Sequence, residues 1–199
     1  MANNDSLLNV FKRNQYNLHN ASRKSTAWFE QQLLLIKQQQ LTPNKVMKSD
    51  TQQLTTTLVP GNLYMFFYDA KTKDKLPYWD RFPLTFPFKK LEDGFMGLNM
   101  HYLPYQMRVQ LLDKLMQFAT NQKLDANTRL KYSWALIDGV SKYRAAQPCI
   151  KRYLDSQVQS AYRKVDGQDW ATAMMLPVES FVGAGKQVVW TDSKRIIRQ

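Results

Sequence analysis

The run LYMFFY, residues 63–68, is apolar at every position and decides the fold. A run of this kind, without the alternation of a half-buried strand, is typical of a strand buried on both faces. The dipeptide Pro60-Gly61 precedes it and is a turn signal. Downstream, PLTFPF at 83–88 predicts a second strand, and its two prolines favour an edge position because proline cannot donate to a ladder.

The segments that follow predict three more strands. Glu92-Asp93-Gly94 indicates a hairpin turn. After it, one face of a third strand over 95–102 is apolar at Met96, Leu98, Met100 and Tyr102. Val158–Val165 and Ala171–Leu176 predict the last two strands. Five short strands joined mostly by turns favour a small β-barrel, SH3-like or OB-like.

Helices are predicted between the third and fourth strands. Pro104 stands where a first-turn proline belongs, and one helix face then carries Met107, Leu111, Leu115 and Phe118. A second helix starts at about Ala126, and a shorter one runs from Pro148 to about Asp155. The fold class is therefore α+β: a single domain over 61–199 with a helical insertion at 104–157 and a basic C-terminal tail at 186–199.

Residues 1–60 are polar, contain no glycine and predict an N-terminal arm. Within it, Arg23–Gln40 has the spacing of one amphipathic helix, which Pro43 ends. The side chains expected to contact a neighbouring protein are Trp28, Phe29, Leu33 and Ile36. The alternative is that this helix packs on its own domain.

The chain of 199 residues has a formal charge of +12, with 28 Lys and Arg against 16 Asp and Glu. Residues 61–103 hold 6 basic and 5 acidic residues, so the strand-rich segment is nearly neutral. Residues 1–60 hold 7 and 3, and residues 104–157 hold 9 and 4. The excess lies in the arm and the helical middle, and favours either a polyanion or an acidic protein face as partner.

Catalytic and metal chemistry have little support in the sequence. Cys149 is the single cysteine, which excludes an internal disulfide, and its place between Pro148 and Ile150 favours an apolar packing role. A nucleophile pair of Cys149 with His101 is the alternative. His19 and His101 are the two histidines, too few for a metal site without acidic partners. We therefore expect no enzyme activity, no metal and no cofactor.

A phosphate-loop interpretation fails at Gly183-Ala184-Gly185-Lys186. The motif requires a glycine five residues before its last glycine and Ser or Thr after the lysine, whereas this chain has Ser180 and Gln187 there.

Basic and aromatic residues alternate in several stretches, which is a pattern of proteins that contact phosphates and stack on bases. The expected contacts with nucleic acid or a partner are Lys142, Arg144, Lys151, Arg152, Arg163 and Lys164. The alternative is that the neighbouring tyrosines pack inward while the charges face water.

The N-terminus has no signal peptide, and the apolar runs are far shorter than the roughly 20 residues that a membrane span needs. We expect a soluble protein made in a host cytoplasm.

Two longer segments resemble a known family. The first contains the runs NLYMFFYDAKTKDKLPYWDRFPLTFPF, GFMGLNMHYLP and RVQLLDKLM, and the second is MMLPVESFVGAGKQVVWTDSKRII near the C-terminus. Both are similar to small virion proteins of T4-like and related contractile-tailed bacteriophages. Members of this family are described as DNA-end protectors or as tail and baseplate components. The resemblance implies a virion protein without catalytic residues.

From this resemblance the leading hypothesis is a non-enzymatic structural subunit of the virion, in the tail, baseplate or neck, that mediates assembly with other virion proteins. The alternative is a DNA-binding protein that protects the ends of the packaged genome.

Overall fold

The apolar run at 63–68 separates two cores. The computed structural model describes Leu34 and residues 41–48, 51–119 and 123–199. Leu63 and Met65 pack into the main core, whereas Tyr64 and Phe66 face an aromatic layer on the opposite side. The predicted strand with two buried faces is confirmed, although its regular part is short, from Leu63–Met65.

The described ranges contain both strands and helices. The strands are β1 (Leu54–Thr55), β2 (Leu63–Met65), β3 (Trp79–Asp80), β4 (Leu84–Leu91), β5 (Gly94–Asn99), β6 (Ile150–Leu154), β7 (Tyr162–Val165) and β8 (Phe181–Val182). The helices are α1 (Pro43–Lys48), α2 (Tyr105–Ala119), α3 (Ala126–Ser141), α4 (Trp170–Met175) and α5 (Lys186–Arg198). The α+β class is confirmed.

The described strands form two open antiparallel sheets, so the prediction of a closed barrel is wrong. The larger sheet has six strands in the order β1-β7-β2-β4-β5-β6, and β3 pairs with β8 in a small second sheet. Closure would require β6 to pair with β1. Instead, the Tyr68 hydroxyl accepts a hydrogen bond from the backbone N–H of Leu154 in β6, at 3.3 Å.

The proline-containing strand is central, so its predicted edge position is also wrong. β4 pairs with β2 on one side and with β5 on the other. Pro83 precedes the strand, and Pro87 lies where the register shifts between Pro87 and Lys89. The missing N–H groups therefore fall at places where the ladder is interrupted.

The short helix predicted from Pro148 to Asp155 is wrong, because its second half is strand β6. A 3₁₀ helix, Arg144–Cys149, leads into it, and Ile150–Leu154 pairs with Gly94–Leu98 of β5. Tyr153 stacks on Phe95 with ring centroids 5.1 Å apart, which anchors the strand in the aromatic layer.

The strand predicted over Ala171–Leu176 is wrong as well, since α4 spans Trp170–Met175. Five of its six residues are buried, so the segment has no polar face to reveal a helical period. The segment predicted as a basic tail forms helix α5, in which Val189 and Trp190 are buried in the main core.

Helices α2 and α3 begin where the sequence predicts them. The Asp125 side chain caps α3 by accepting hydrogen bonds from the N–H groups of Asn127 and Thr128, each at 3.0 Å. On α2, Arg108, Val109 and Leu112 are buried, and the predicted Met107 and Leu111 are partly buried against the main core. The side chains of Leu115 and Phe118 lie outside the described part of the helix.

The predicted hairpin turn and the predicted fourth strand are confirmed in part. β4 and β5 meet at Leu91 and Gly94. The strand expected over 158–165 reduces to β7, with an isolated bridge between Tyr68 and Val158.

Part of the polar N-terminal segment packs on the domain. Pro43 begins helix α1, and Val46 of this helix is fully buried in the main core. Apart from Leu34, the helix predicted over Arg23–Gln40 lies outside the described residues. Leu54 and Thr55 form β1, which pairs with β7. The arm contacts predicted at Trp28, Phe29, Leu33 and Ile36 lie outside the described residues.

Candidate functional site

A cleft of about 550 Å³ runs along the edge of β6. We call it the β6 cleft. It lies between β6 and the charged loop at 70–80, and the residues that carry its chemistry are Lys71, Tyr78, Asp80, Tyr102, Lys151 and Arg152. The cleft exists because β6 is an edge strand, whose outer side faces a loop rather than another strand.

Lys151 is the central cation of the β6 cleft. Its Nζ lies 3.9 Å from the centroid of the Tyr102 ring, a cation–π geometry. Burial lowers the pKa of Lys151, because a desolvated ammonium is less stable than in water. Within the described part of the chain, no carboxylate forms an ion pair with Lys151.

Arg152 points to the rim of the same cleft. Its Nη2 donates to both carboxylate oxygens of Asp93, at 2.8 and 2.7 Å. The hydrogen bond from Arg152 holds the pKa of Asp93 below its usual value. Both side chains are more than half exposed, so water screens the pair.

Asp80 forms the inner end of the cleft and is almost fully buried. Its Oδ2 receives hydrogen bonds from Nδ1 of His101 at 2.8 Å and from the Asn99 amide at 3.0 Å. Its Oδ1 accepts from the backbone N–H groups of Phe82 and Ser180, at 3.1 and 3.3 Å. Both oxygens of this carboxylate are therefore fully engaged.

His101 and Cys149 are both fully buried. The Nε2 of His101 has no hydrogen-bond partner among the described residues. Burial raises the pKa of the Cys149 thiol to about 12, so a thiolate is disfavoured at neutral pH. Such a thiol suits the packing role predicted for Cys149.

A second polar cluster lies beneath α5 and holds it against α2. We call it the Arg108 network; it comprises Tyr105, Arg108, Glu179, Lys186 and Trp190. The buried guanidinium of Arg108 donates to Glu179 Oε1 at 2.7 Å and to the carbonyls of Leu103, Met174 and His101.

The remaining members close the Arg108 network. The Tyr105 hydroxyl and Lys186 Nζ donate to Glu179 Oε2, at 3.2 and 3.4 Å. Burial alone raises the pKa of Glu179, but the charges of Arg108, His101 and Lys186 outweigh it and lower the pKa to about 2. The network is therefore a fully paired structural clamp.

The residues predicted from basic and aromatic stretches do not form one patch. Lys151 and Arg152 line the β6 cleft. Lys142 and Arg144 are exposed after the end of α3, and Lys142 pairs with Asp138 at 2.9 Å. These four residues stay predicted contacts, and two of them share a cleft.

The other two predicted residues lie on β7, which β2, β4 and β5 separate from β6 in the sheet. Arg163 is buried and donates a hydrogen bond to the carbonyl of Met47 at 2.8 Å. Lys164 Nζ lies 3.7 Å from Asp166 Oδ1. The geometry of Arg163 suits a structural role better than a contact.

Besides Asp80, three further members of the β6 cleft were not predicted as contacts from the sequence. Lys71 and Tyr78 fall in a loop of mixed charge, and Tyr102 ends the third predicted strand. The local signal is that Tyr78 follows Pro77 and precedes Trp79 in this loop, an aromatic pair in a charged segment. No spacing rule links them to Lys151, because strand pairing brings them together.

Neither metal ligands nor a membrane helix stand out in the described ranges. There, no cluster of three or more His, Cys, Asp or Glu side chains is suited to hold a metal ion. The helices of those same residues are too short or too polar to cross a membrane.

Comparison with known proteins gives one result. Neither curated proteins nor solved structures include a match to this chain. A sequence model of one family, described as the phage T4 terminal DNA protecting protein, matches residues 4–197. The resemblance to a T4-like phage family is thereby confirmed, and the chain belongs to the family of the phage T4 terminal DNA protecting protein.

Proposed function

We propose that this protein binds the ends of linear phage DNA and shields them from exonucleases. The observation that carries the proposal is the family match over residues 4–197. Its description names DNA termini, and an exonuclease needs access to a terminus. A protein that occupies the terminus therefore protects the whole molecule.

The charge of the chain supports this function. A formal charge of +12 attracts a polyanion, and most of the excess lies in residues 1–60 and 104–157. Among the described residues, the exposed cations Lys89 and Lys90 form no ion pair with a carboxylate. Such residues suit contacts with DNA phosphates, which fix position without reading sequence.

The family match favours this DNA-end function over the tail, baseplate or neck subunit expected first from the sequence. We infer that the protein accompanies the packaged genome in the virion. We also infer that it protects by binding rather than by catalysis. The buried Cys149, with its pKa near 12, is a poor nucleophile and supports that inference.

The test uses the purified full chain and an exonuclease that starts from both nicks and ends. Linear duplex DNA is expected to survive longer with the protein than without it. A nicked circle of the same sequence is the control, since a protein that inhibits the nuclease itself would protect both substrates. Equal digestion of linear DNA with and without protein would contradict the proposal.

Salt dependence provides a second measurement. Binding through phosphates releases counterions, so the logarithm of the association constant falls with the logarithm of salt concentration, by about 0.9 for each neutralised phosphate of duplex DNA. A slope near zero would exclude phosphate contacts and with them the proposed function.

A further inference from the structure

We propose that the β6 cleft receives an unpaired terminal nucleotide of the DNA, with the phosphate bound by Lys151 and the base against the aromatic lining. The inference rests on the proposed function and assigns it a site. It is carried by the geometry of Lys151, by the carboxylates that surround it, and by the size and lining of the cleft.

Among the described residues, no carboxylate forms an ion pair with the ammonium of Lys151. Its Nζ lies over the face of the Tyr102 ring, which attracts the positive charge. The ring face does not replace the acceptor oxygens that the three N–H donors of an ammonium can bind. Charges withdrawn from water are normally paired. A bound phosphate would supply the missing negative charge and acceptor oxygens, with a charge-assisted hydrogen bond.

The two carboxylates that line the cleft do not fill this role. Asp80 receives four hydrogen bonds, from His101, Asn99, Phe82 and Ser180. Asp93 is held by Arg152 on the rim. The cations Lys71, Lys151 and Arg152 also line the cleft, so it retains positive charge for an incoming anion.

The lining suits a base beside the phosphate. Tyr78 and Tyr102 lie with ring centroids 6.1 Å apart, and Tyr78 is the more exposed of the two. Stacking of a base on an aromatic ring contributes about 1–3 kcal/mol and tolerates any sequence. A protein that protects ends of unrelated sequence needs a contact of this kind.

The size of the cleft selects ends. A volume of about 550 Å³ lies within the range that holds a single drug-sized ligand. A duplex does not fit, because a base pair joined to two backbones is larger than one such ligand. Only a nucleotide that has left the stack can enter, and unpairing costs least at a terminus. Steric exclusion of the duplex thus converts general phosphate affinity into preference for ends.

The first experiment compares two lysine variants, Lys151→Met and Lys131→Met, in the full chain. Lys131 lies on the exposed side of α3 and outside the cleft. The probes are a linear duplex with short single-stranded overhangs and a covalently closed circle of the same sequence. The readout is the ratio of the two dissociation constants, which isolates end preference from general electrostatics.

For Lys151→Met we expect a loss of about tenfold in this ratio, which corresponds to one charged hydrogen bond. Lys131→Met is expected to leave the ratio unchanged. If the wild type prefers ends and Lys151→Met retains the full preference, the cleft assignment is wrong while the proposed function stands. If the wild type itself shows no preference for ends, the proposed function fails first.

A cross-linking experiment on the wild type avoids any effect of substitution on folding. A 5-iodouracil at the terminal overhang position is expected to cross-link to Tyr78 or Tyr102, and one placed at an internal duplex position is not. Peptide mapping of the product identifies the tyrosine. A terminal cross-link that maps only outside the β6 cleft would overturn the inference.

Discussion

Two buried or half-buried cations, Arg108 and Lys151, have opposite surroundings. Arg108 in the Arg108 network is fully buried and donates to Glu179 and to three backbone carbonyls. Lys151 in the β6 cleft faces the ring of Tyr102, and no described carboxylate pairs with it. The first site contains its own anion, and the second has none among the residues that the structure describes.

This difference distinguishes a structural site from a binding site better than charge or burial alone. In a structural network every polar group already has a hydrogen-bond partner, so an added ligand would form no new hydrogen bond there. A binding site keeps an unpaired charge, which lowers the stability of the folded protein until a ligand binds. Removing the anion of the first site and the cation of the second should therefore change the free energy of unfolding in opposite directions.

The largest effect is expected from Glu179→Gln, which leaves Arg108 buried without its anion. Removing one partner of a buried ion pair costs about 3–5 kcal/mol. The free energy of unfolding from urea titration measures the loss. Asp138→Asn is the control: it removes the exposed partner of Lys142 at i,i+4, and should cost no more than about 0.5 kcal/mol. Equal losses in both variants would show that the Arg108 network is not a clamp.

Acid should weaken the same network. The pKa of Glu179 is lowered to about 2, so the carboxylate contributes stability above its unfolded pKa, near 4.5, which is lost as pH falls toward 2. A difference of this size corresponds to about 3 kcal/mol. The difference in free energy of unfolding between the wild type and Glu179→Gln should therefore fall by about 2 kcal/mol from pH 7 to pH 3, where part of it remains because pH 3 still lies above the folded pKa. An unchanged difference would contradict the assignment.

Short-range patterns predicted much of the fold, and long-range contacts account for the errors. LYMFFY predicted a strand with two buried faces because its own composition excludes a solvent face. The start of helix α3 at about Ala126 was predicted, and the Asp125 cap that the structure shows there is a local interaction. By contrast, a five-residue segment such as Ile150–Leu154 does not distinguish helix from strand, and its pairing with β5 settles the question.

The residues of the two sites were harder to predict than the fold, because their contacts also depend on long-range packing. Periodicity on α2 indicated Met107 and Leu111, which are partly buried, whereas Arg108 is fully buried and donates hydrogen bonds to the carbonyls of Met174 and His101. Lys151 was predicted as a contact from its basic and aromatic neighbours. Its distinctive partner, Tyr102, reaches it only through the pairing of β5 with β6.

The strand pairing that builds the β6 cleft can be broken at Gly94. A Cβ at this position would come within 1.9 Å of the Tyr153 carbonyl oxygen, which is backbone of β6 and cannot give way easily. Gly94→Ala should therefore cost about 2 kcal/mol and weaken the end preference of DNA binding together with the cleft.

Gly139→Ala is the matched control for this substitution. A Cβ there meets nothing within 4 Å, and the residue lies inside α3. Alanine is the better helix former, so a gain of about 0.5–1 kcal/mol is expected. If Gly94→Ala proves equally harmless in thermal and urea unfolding, β6 is not held as closely against β5 as the structure places it.

The smallest and most discriminating effect is expected from Lys151→Met, measured on stability rather than on binding. The desolvated ammonium costs the folded state stability, and methionine packs well against an aromatic ring. We expect the variant to be more stable than the wild type by about 1 kcal/mol at pH 7. Glu179→Gln has the opposite sign, so the pair of variants tests the comparison directly.

The pH dependence of this gain identifies its cause. Burial lowers the pKa of Lys151, so the folded wild type releases its proton at a lower pH than the unfolded chain does. Its stability therefore rises relative to the variant as pH increases toward the unfolded value of about 10.4. Burial also raises the pKa of Tyr102 far above its usual value, so this ring stays neutral in the same window. If the difference in free energy of unfolding between Lys151→Met and the wild type narrows from pH 7 to pH 10, the desolvated ammonium causes the lower stability of the wild type. A constant difference would assign it to packing.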